Sequence, residues 1–171
     1  MAIDSVIVED FLAESKDLIK GLLDLLESIE SDITRVQELA TYGNNVDRIM
    51  GGAKNLAIMA DSEHALHMIS DYAALCKAVG YKGSQLKDNE KLYDICVALL
   101  LDATENLAIL LDRIHDPVDQ LRKSIPNAFI DRLRWVDKQF SDEYSQSVGA
   151  GDASKKLAQT EIDDLLKSLG F

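Results

Sequence analysis

The stretch SVIVEDFLAESKDLIKGLLDLLESIES, residues 5–31, decides the fold class. Val8, Phe11, Leu18, Leu22, Leu25 and Ile29 recur at three- and four-residue intervals, and Leu12, Ile19, Leu23 and Leu26 widen the stripe. A helix brings residues at that spacing to one side, so the pattern predicts a single long amphipathic helix from about Ser5 to Ser31. Valine, isoleucine and threonine never cluster in the period-two run that marks a half-buried strand.

The same helical period continues downstream. Tyr42-Gly43-Asn44-Asn45 reads as a turn, which places a second helix from about Val46 to Ala60. Asp61 or Ser62 suits an N-cap, and Glu63 in the first turn favours the helix dipole. The third helix then runs to about Val79 and ends at Gly80, and Gly83 to Asn89 forms a polar connection. A fourth helix follows from about Glu90 to Ile114, with Leu92, Cys96, Leu99, Ala103, Leu107, Leu110 and Ile114 on one stripe. Asp116-Pro117 opens a further helix, since proline is tolerated in a first turn. Pro126-Asn127 interrupts it, and helix resumes from Ala128 to Phe140 around the single Trp135. These elements predict an all-α bundle of four or five helices spanning residues 1–140.

Between Ser141 and Lys156 the residues turn small and polar, with Gly149 and Gly151 among them. Such a segment buries too little surface to offset its ordering entropy, so residues 141–156 are expected to be a flexible linker. An apolar pattern then resumes at Leu157, Ile162, Leu165, Leu166, Leu169 and Phe171. Residues 157–171 are too few for a stable isolated helix, so this segment needs a groove. The groove is either on its own bundle or on another protein, and the second case makes it a helix-in-groove ligand.

Composition narrows the partners. Hydrophobic residues make up 47% and charged residues 28% of 171, which is globular usage. No apolar run approaches the ~20 residues of a membrane span. Asp4, Glu9, Asp10 and Glu14 give the opening residues the wrong charge for a signal peptide, so a cytoplasmic location is expected. A net charge of −12 argues against nucleic acid and anionic membrane, both of which select a basic face. It permits a partner with a basic patch. Cys76 and Cys96 lie far apart among apolar residues and read as buried reduced thiols. The chain has no glycine-rich phosphate loop, no nucleophile with a partnered base and no cofactor motif, so it is expected to carry no cofactor of its own.

The final residues, Asp163-Asp164-Leu165-Leu166-Lys167-Ser168-Leu169-Gly170-Phe171, resemble the C-terminus of the CheZ family, phosphatases of the chemotaxis response regulator CheY. Gln159-Thr160-Glu161-Ile162-Asp163-Asp164-Leu165-Leu166 also resembles the CheY-binding segment of the flagellar switch protein FliM. Both resemblances imply a CheY-type regulator as partner, carrying its own Mg2+. The residues implied in binding it are Asp163, Asp164, Leu165, Leu166, Leu169 and Phe171. By the same resemblance the chain would act in flagellar motility, and a homodimer is the family's usual state.

The CheZ family also uses an Asp and a Gln four residues apart on one helix, in an Asp-x-Thr-x-Gln context. This chain has Asp102-Ala103-Thr104-Glu105-Asn106 in its fourth helix. Four residues is just over one turn, so Asp102 and Asn106 share a face, on the flank of the apolar stripe. An aspartyl phosphate is already labile, so a catalyst mainly has to place a water in line with it. A carboxamide suits that task because it donates and accepts hydrogen bonds without charge. The resemblance thus implies Asn106 for the water and Asp102 for a lysine of the partner. Asn in place of Gln shortens the reach by one methylene. Asp116/Gln120 and Asp142/Gln146 share the spacing, but the first lies at a helix start and the second in the expected linker.

The first three helices resemble a histidine phosphotransfer domain. Arg48-Ile49-Met50-Gly51-Gly52-Ala53-Lys54-Asn55-Leu56-Ala57 tracks its phosphoacceptor helix, with Lys54 on the family's lysine and Gly51 where its histidine stands. Without that imidazole, phosphotransfer is not expected there. His64 and His67 lie one turn apart and read as solvent-edge residues, and His115 suits a helix C-terminus. Two functions follow: a CheZ-like phosphatase, or a non-catalytic adaptor or sink that binds the regulator and leaves its phosphate alone.

Overall fold

Asp4 starts the first helix by accepting a hydrogen bond from the Val6 N–H at 2.9 Å, which satisfies one of the donors every helix start leaves open. The computed structural model describes residues 3–147 and 161–171. Helix α1 is Ser5–Ser28, and α2 is Glu38–Ala57 after a short 3-10 turn at Ile33–Arg35. Then come α3 (Ala65–Gly83), α4 (Glu90–Asp112), α5 (Val118–Ser124) and α6 (Asn127–Ser147). A last helix, α7, covers 161–168. The described residues contain no strand, and none of their helices is long and apolar enough to cross a membrane.

Helices α1 to α4 form a closed ring: each packs on the next, and α4 returns to α1. Neighbours run antiparallel. Along α1–α2 Phe11 meets Gly52 and Glu14 meets Arg48, and along α2–α3 Tyr42 meets Gly80 and Asp47 meets Lys77. Along α3–α4 Tyr72 meets Ala103 and Gly83 meets Cys96, and along α4–α1 Tyr93 meets Ile29 and Asp112 meets Lys16. Arg48 of α2 meets Glu14 of α1 at 2.7 Å, Lys77 of α3 meets Asp47 of α2 at 2.8 Å, and Lys16 of α1 meets Asp112 of α4 at 3.1 Å. Helix α6 adds antiparallel to α4 outside the ring, with Asn89 at the start of α4 donating to Glu143 near the end of α6 at 2.6 Å. Three fully buried tyrosines place their hydroxyls on core acceptors. Tyr42 meets the Thr104 hydroxyl at 2.9 Å, Tyr72 donates to the Ala103 carbonyl at 3.0 Å, and Tyr93 donates to the Ile29 carbonyl at 2.7 Å. Each bond satisfies a polar group that burial would otherwise penalise.

The all-α bundle agrees with the reading of the sequence, and several of its boundaries move. Tyr42-Gly43-Asn44-Asn45 is not a turn but the second turn of α2. Gly43 is small there because the Tyr81 ring lies over it, and a Cβ would come within 2.8 Å of Tyr81 Cε1. Tyr81 donates to the Asn44 side chain, so the turn-like residues serve a helix contact. The third helix is capped by His64 and not by Asp61 or Ser62, with His64 Nδ1 accepting from the Leu66 N–H at 3.1 Å. It also passes through Gly80. Residues 141–147, expected to begin the linker, continue α6: Ser141 is buried, and Tyr144 stacks on Phe140 and donates to the Lys82 carbonyl at 2.6 Å. The rest of the expected linker, and residues 157–160, lie outside the described residues. Cys76 and Cys96 are free and buried, and burial pushes both thiols up to about 12.

Gly80 permits a close approach between α2 and α3. A Cβ there would fall 2.8 Å from Tyr42 Cδ1 and 3.1 Å from the Leu39 carbonyl oxygen. Tyr42 is fully buried and cannot swing away. Overpacking of this kind costs about 1–3 kcal/mol, so Gly80→Ala should lower the urea midpoint with an unchanged m-value. A midpoint equal to that of the wild type would show that the α2–α3 seam has room for a methyl group.

Candidate functional site on α4 and α7

Asp102 and Asn106 stand one turn apart on the same flank of α4, each half-buried. The opposite flank explains why α4 holds still beneath them. Thr104 is fully buried and donates back to the Leu100 carbonyl at 2.7 Å while meeting Tyr42. The threonine between the pair is therefore a core fastening. Arg132 of α6 forms an ion pair with Asp102, whose side chain keeps 48% of its surface exposed. The Asn106 carboxamide lies close enough to the Tyr72 hydroxyl to oppose part of the rise that burial gives its pKa. Burial raises the Tyr72 pKa well above its usual value, so the hydroxyl stays protonated and donates to Ala103. Arg132 and Tyr72 are the partners that sequence reasoning missed. Both lie on other helices, and no spacing rule links them to α4.

Of the other pairs at the same spacing, Asp116 is held by Arg113 at 2.7 Å in the turn after α4. Asp142 lies on α6, and the Gln146 side chain is outside the described set.

Helix α7 packs on its own bundle. Ile162, Leu166 and Leu169 are 0–2% exposed, and Leu165 and Phe171 are half-buried. Asp163 is half-buried at the rim, and Asp164 and Lys167 are exposed. The closing Leu-Gly-Phe has a structural explanation. The Phe171 N–H donates to the Leu166 carbonyl at 2.9 Å and the Gly170 N–H to the Lys167 carbonyl at 3.0 Å. This is a Schellman closure, and it needs a residue in the left-handed region between the two donors. Gly170 supplies it with φ +90°. The carbonyl of Leu169 turns outward to Arg122 of α5, whose Nε donates to it at 2.8 Å. A Cβ on Gly170 would fall 2.9 Å from Arg122 Cζ.

Acidic residues of α7 face a buried ion pair. Lys82 at the end of α3 lies 3.6 Å from Asp137 of α6, with side chains only 9% and 5% exposed. Burial pulls the lysine down, opposed by Asp137, Glu161 and Asp163. Burial pushes Asp137 up to about 6, opposed by Lys82 and reinforced by Asp163. Among the described residues, Asp137 Oδ1 has no hydrogen-bond partner.

The α2 face that resembles a phosphoacceptor helix presents Gly51 with open space around it. Lys54 is exposed, and Arg48 is occupied by Glu14. Met50, Lys54, Ile58, His67, Asp71 and Leu165 border a groove beside it. Partial burial raises Asp71, with His67 and then Lys54 opposing. His64 is lowered by burial, then by His115 and His67. No group of three or more metal-ligating side chains occurs among the described residues.

The chain matches no protein-family model, and no curated protein or solved structure is significantly similar to it.

Proposed function

We propose that this chain binds a phosphorylated CheY-type response regulator through α7 and stimulates its dephosphorylation from the α4 flank that carries Asp102 and Asn106. The observation that carries the proposal is the construction of α7. It is an amphipathic helix with acids at its rim and a Schellman closure that sets Phe171 beside Leu166. Helix-in-groove ligands are read through such apolar anchors. Once tethered, the regulator stands at high effective concentration near the bundle.

The chemistry asked of α4 is positional. The half-buried Asn106 carboxamide, beside the Tyr72 hydroxyl, would supply hydrogen bonds to a water. Asp102 would exchange Arg132 for a lysine of the regulator, an exchange between exposed charge pairs of small free-energy difference. The Mg2+ at the phosphate belongs to the regulator.

A non-catalytic adaptor is the second reading, favoured by one specific observation: Asp102 already has a partner in Arg132. Both readings require binding. Calorimetric titration of the full chain with the phosphorylated regulator should give saturable one-to-one binding. Absence of heat at micromolar concentrations, with a spin-column check showing no complex, would end both.

A further inference from the structure

We infer that the groove holding α7 competes with the regulator for the same helix face, so that the chain occupies a closed, self-docked state that must open before it binds. This rests on the reading of α7 as the regulator's ligand. Leu166 and Leu169 are 2% exposed in the bundle. They cannot face two grooves at once, so the two docked states exclude each other. The bundle also supplies polar fittings to the helix. Arg122 takes the Leu169 carbonyl at 2.8 Å, and Glu161 lies within electrostatic reach of Lys82 and of Lys77, whose ion-pair partner is Asp47. Asp163 adds to the negative potential at Lys82. These cations read the same acidic rim that a basic partner would read.

Exclusion sets the apparent affinity. A ligand that binds only the open state is weakened by the fraction of chain that is open. Loosening the latch without touching α7 should therefore tighten regulator binding. Arg122 is the place to do it: it lies on α5, outside both α7 and the Asp102/Asn106 flank.

The test is titration of the regulator with full-length wild type and Arg122→Ala, with hydrogen exchange of residues 161–171 measured on both. Arg122→Ala should speed exchange in α7 and lower the apparent Kd about three- to tenfold, the effect of one partly buried hydrogen bond of ordinary strength. Should exchange stay unchanged, R122A/K77E removes a second fitting and is read the same way. Faster exchange with an unchanged or higher Kd would overturn the latch while leaving docking intact. If the double variant also leaves exchange unchanged, the polar fittings do not hold α7 and the latch is overturned. No binding by wild type or variants would remove the docking reading and the latch with it.

Discussion

Alanine at Leu166 is expected to weaken regulator binding, because the truncation of a buried interface anchor, about thirtyfold or more, outweighs what the opening of α7 returns. Leu166 is 2% exposed on the bundle, and its carbonyl accepts the Phe171 N–H that closes the helix. The truncation acts on both docked states. It removes packing in the bundle's groove, which favours opening, and it removes the anchor the regulator needs. Opening returns part of the affinity by raising the competent fraction, a gain that ends once the chain is fully open, so the loss of the anchor sets the net sign. A buried Leu→Ala change in a cooperative core costs about 2–5 kcal/mol. Here α7 can detach instead, so the main unfolding transition of α1 to α6 should move much less than that. Lys167→Ala is the control, because Lys167 faces solvent on the outer side of α7. Its affinity should stay within about twofold, as surface changes usually lie within ~0.5 kcal/mol. Equal affinity for Leu166→Ala and Lys167→Ala would show that α7 is not the ligand.

Replacing Lys82 by methionine should destabilise the bundle by about 2 kcal/mol at pH 7.5, the cost at about 1.4 kcal/mol per pH unit of holding Asp137 protonated above its folded pKa of about 6. The stem packs as before, but Asp137 is left with a buried charge and Asp163 nearby. The loss should depend on pH, with a sign that follows from Asp137. Its folded pKa of about 6 already lies above the unfolded value, so the native state binds the extra proton. Stability from that group is fully present below the unfolded pKa and falls as pH rises through the folded one. Without Lys82 to oppose it the folded pKa rises further, and the decline extends to higher pH at the same one-proton slope. Urea unfolding at pH 5 and pH 7.5 should therefore show a larger deficit for Lys82→Met at pH 7.5. A deficit equal at both values would mean that Asp137 is not the group left uncompensated.

The helical period was legible because it needs only local spacing. What period alone left open was which stripe a ring of neighbours would bury. In α1, Ser15, Ile19, Leu22 and Leu26 face fully inward, and Phe11, Leu18 and Leu25 fall on the half-buried edges. Contact with both α2 and α4 sets that axis. The misread turn at Tyr42-Gly43-Asn44-Asn45 has the same origin. Glycine and asparagine favour turns locally, but Tyr81, 37 residues after Asn44, fills the space above Gly43 and bonds Asn44. His64 as a cap escaped notice because imidazole is not among the usual capping side chains. Trp135 sits in a helix as expected, yet 47% of its surface is exposed.

For the site, the shared flank of Asp102 and Asn106 followed from a spacing of four. Their partners Arg132 and Tyr72 come from helices whose packing no local rule supplies. The acidic, apolar character of α7 was equally visible, including the possibility that it folds back on its own bundle. Its groove was not, because Lys82, Asp137 and Arg122 are scattered over α3, α6 and α5.

The most direct test follows the decay of a phosphorylated CheY-type regulator with and without the chain, comparing wild type with Asn106→Ala. Wild type should accelerate loss of phosphate, and Asn106→Ala should lose at least about tenfold of that acceleration while binding the regulator as tightly, as expected when a group positions the attacking water. Tight binding with decay at the spontaneous rate for both proteins would contradict the phosphatase and leave an adaptor that holds the regulator without acting on it.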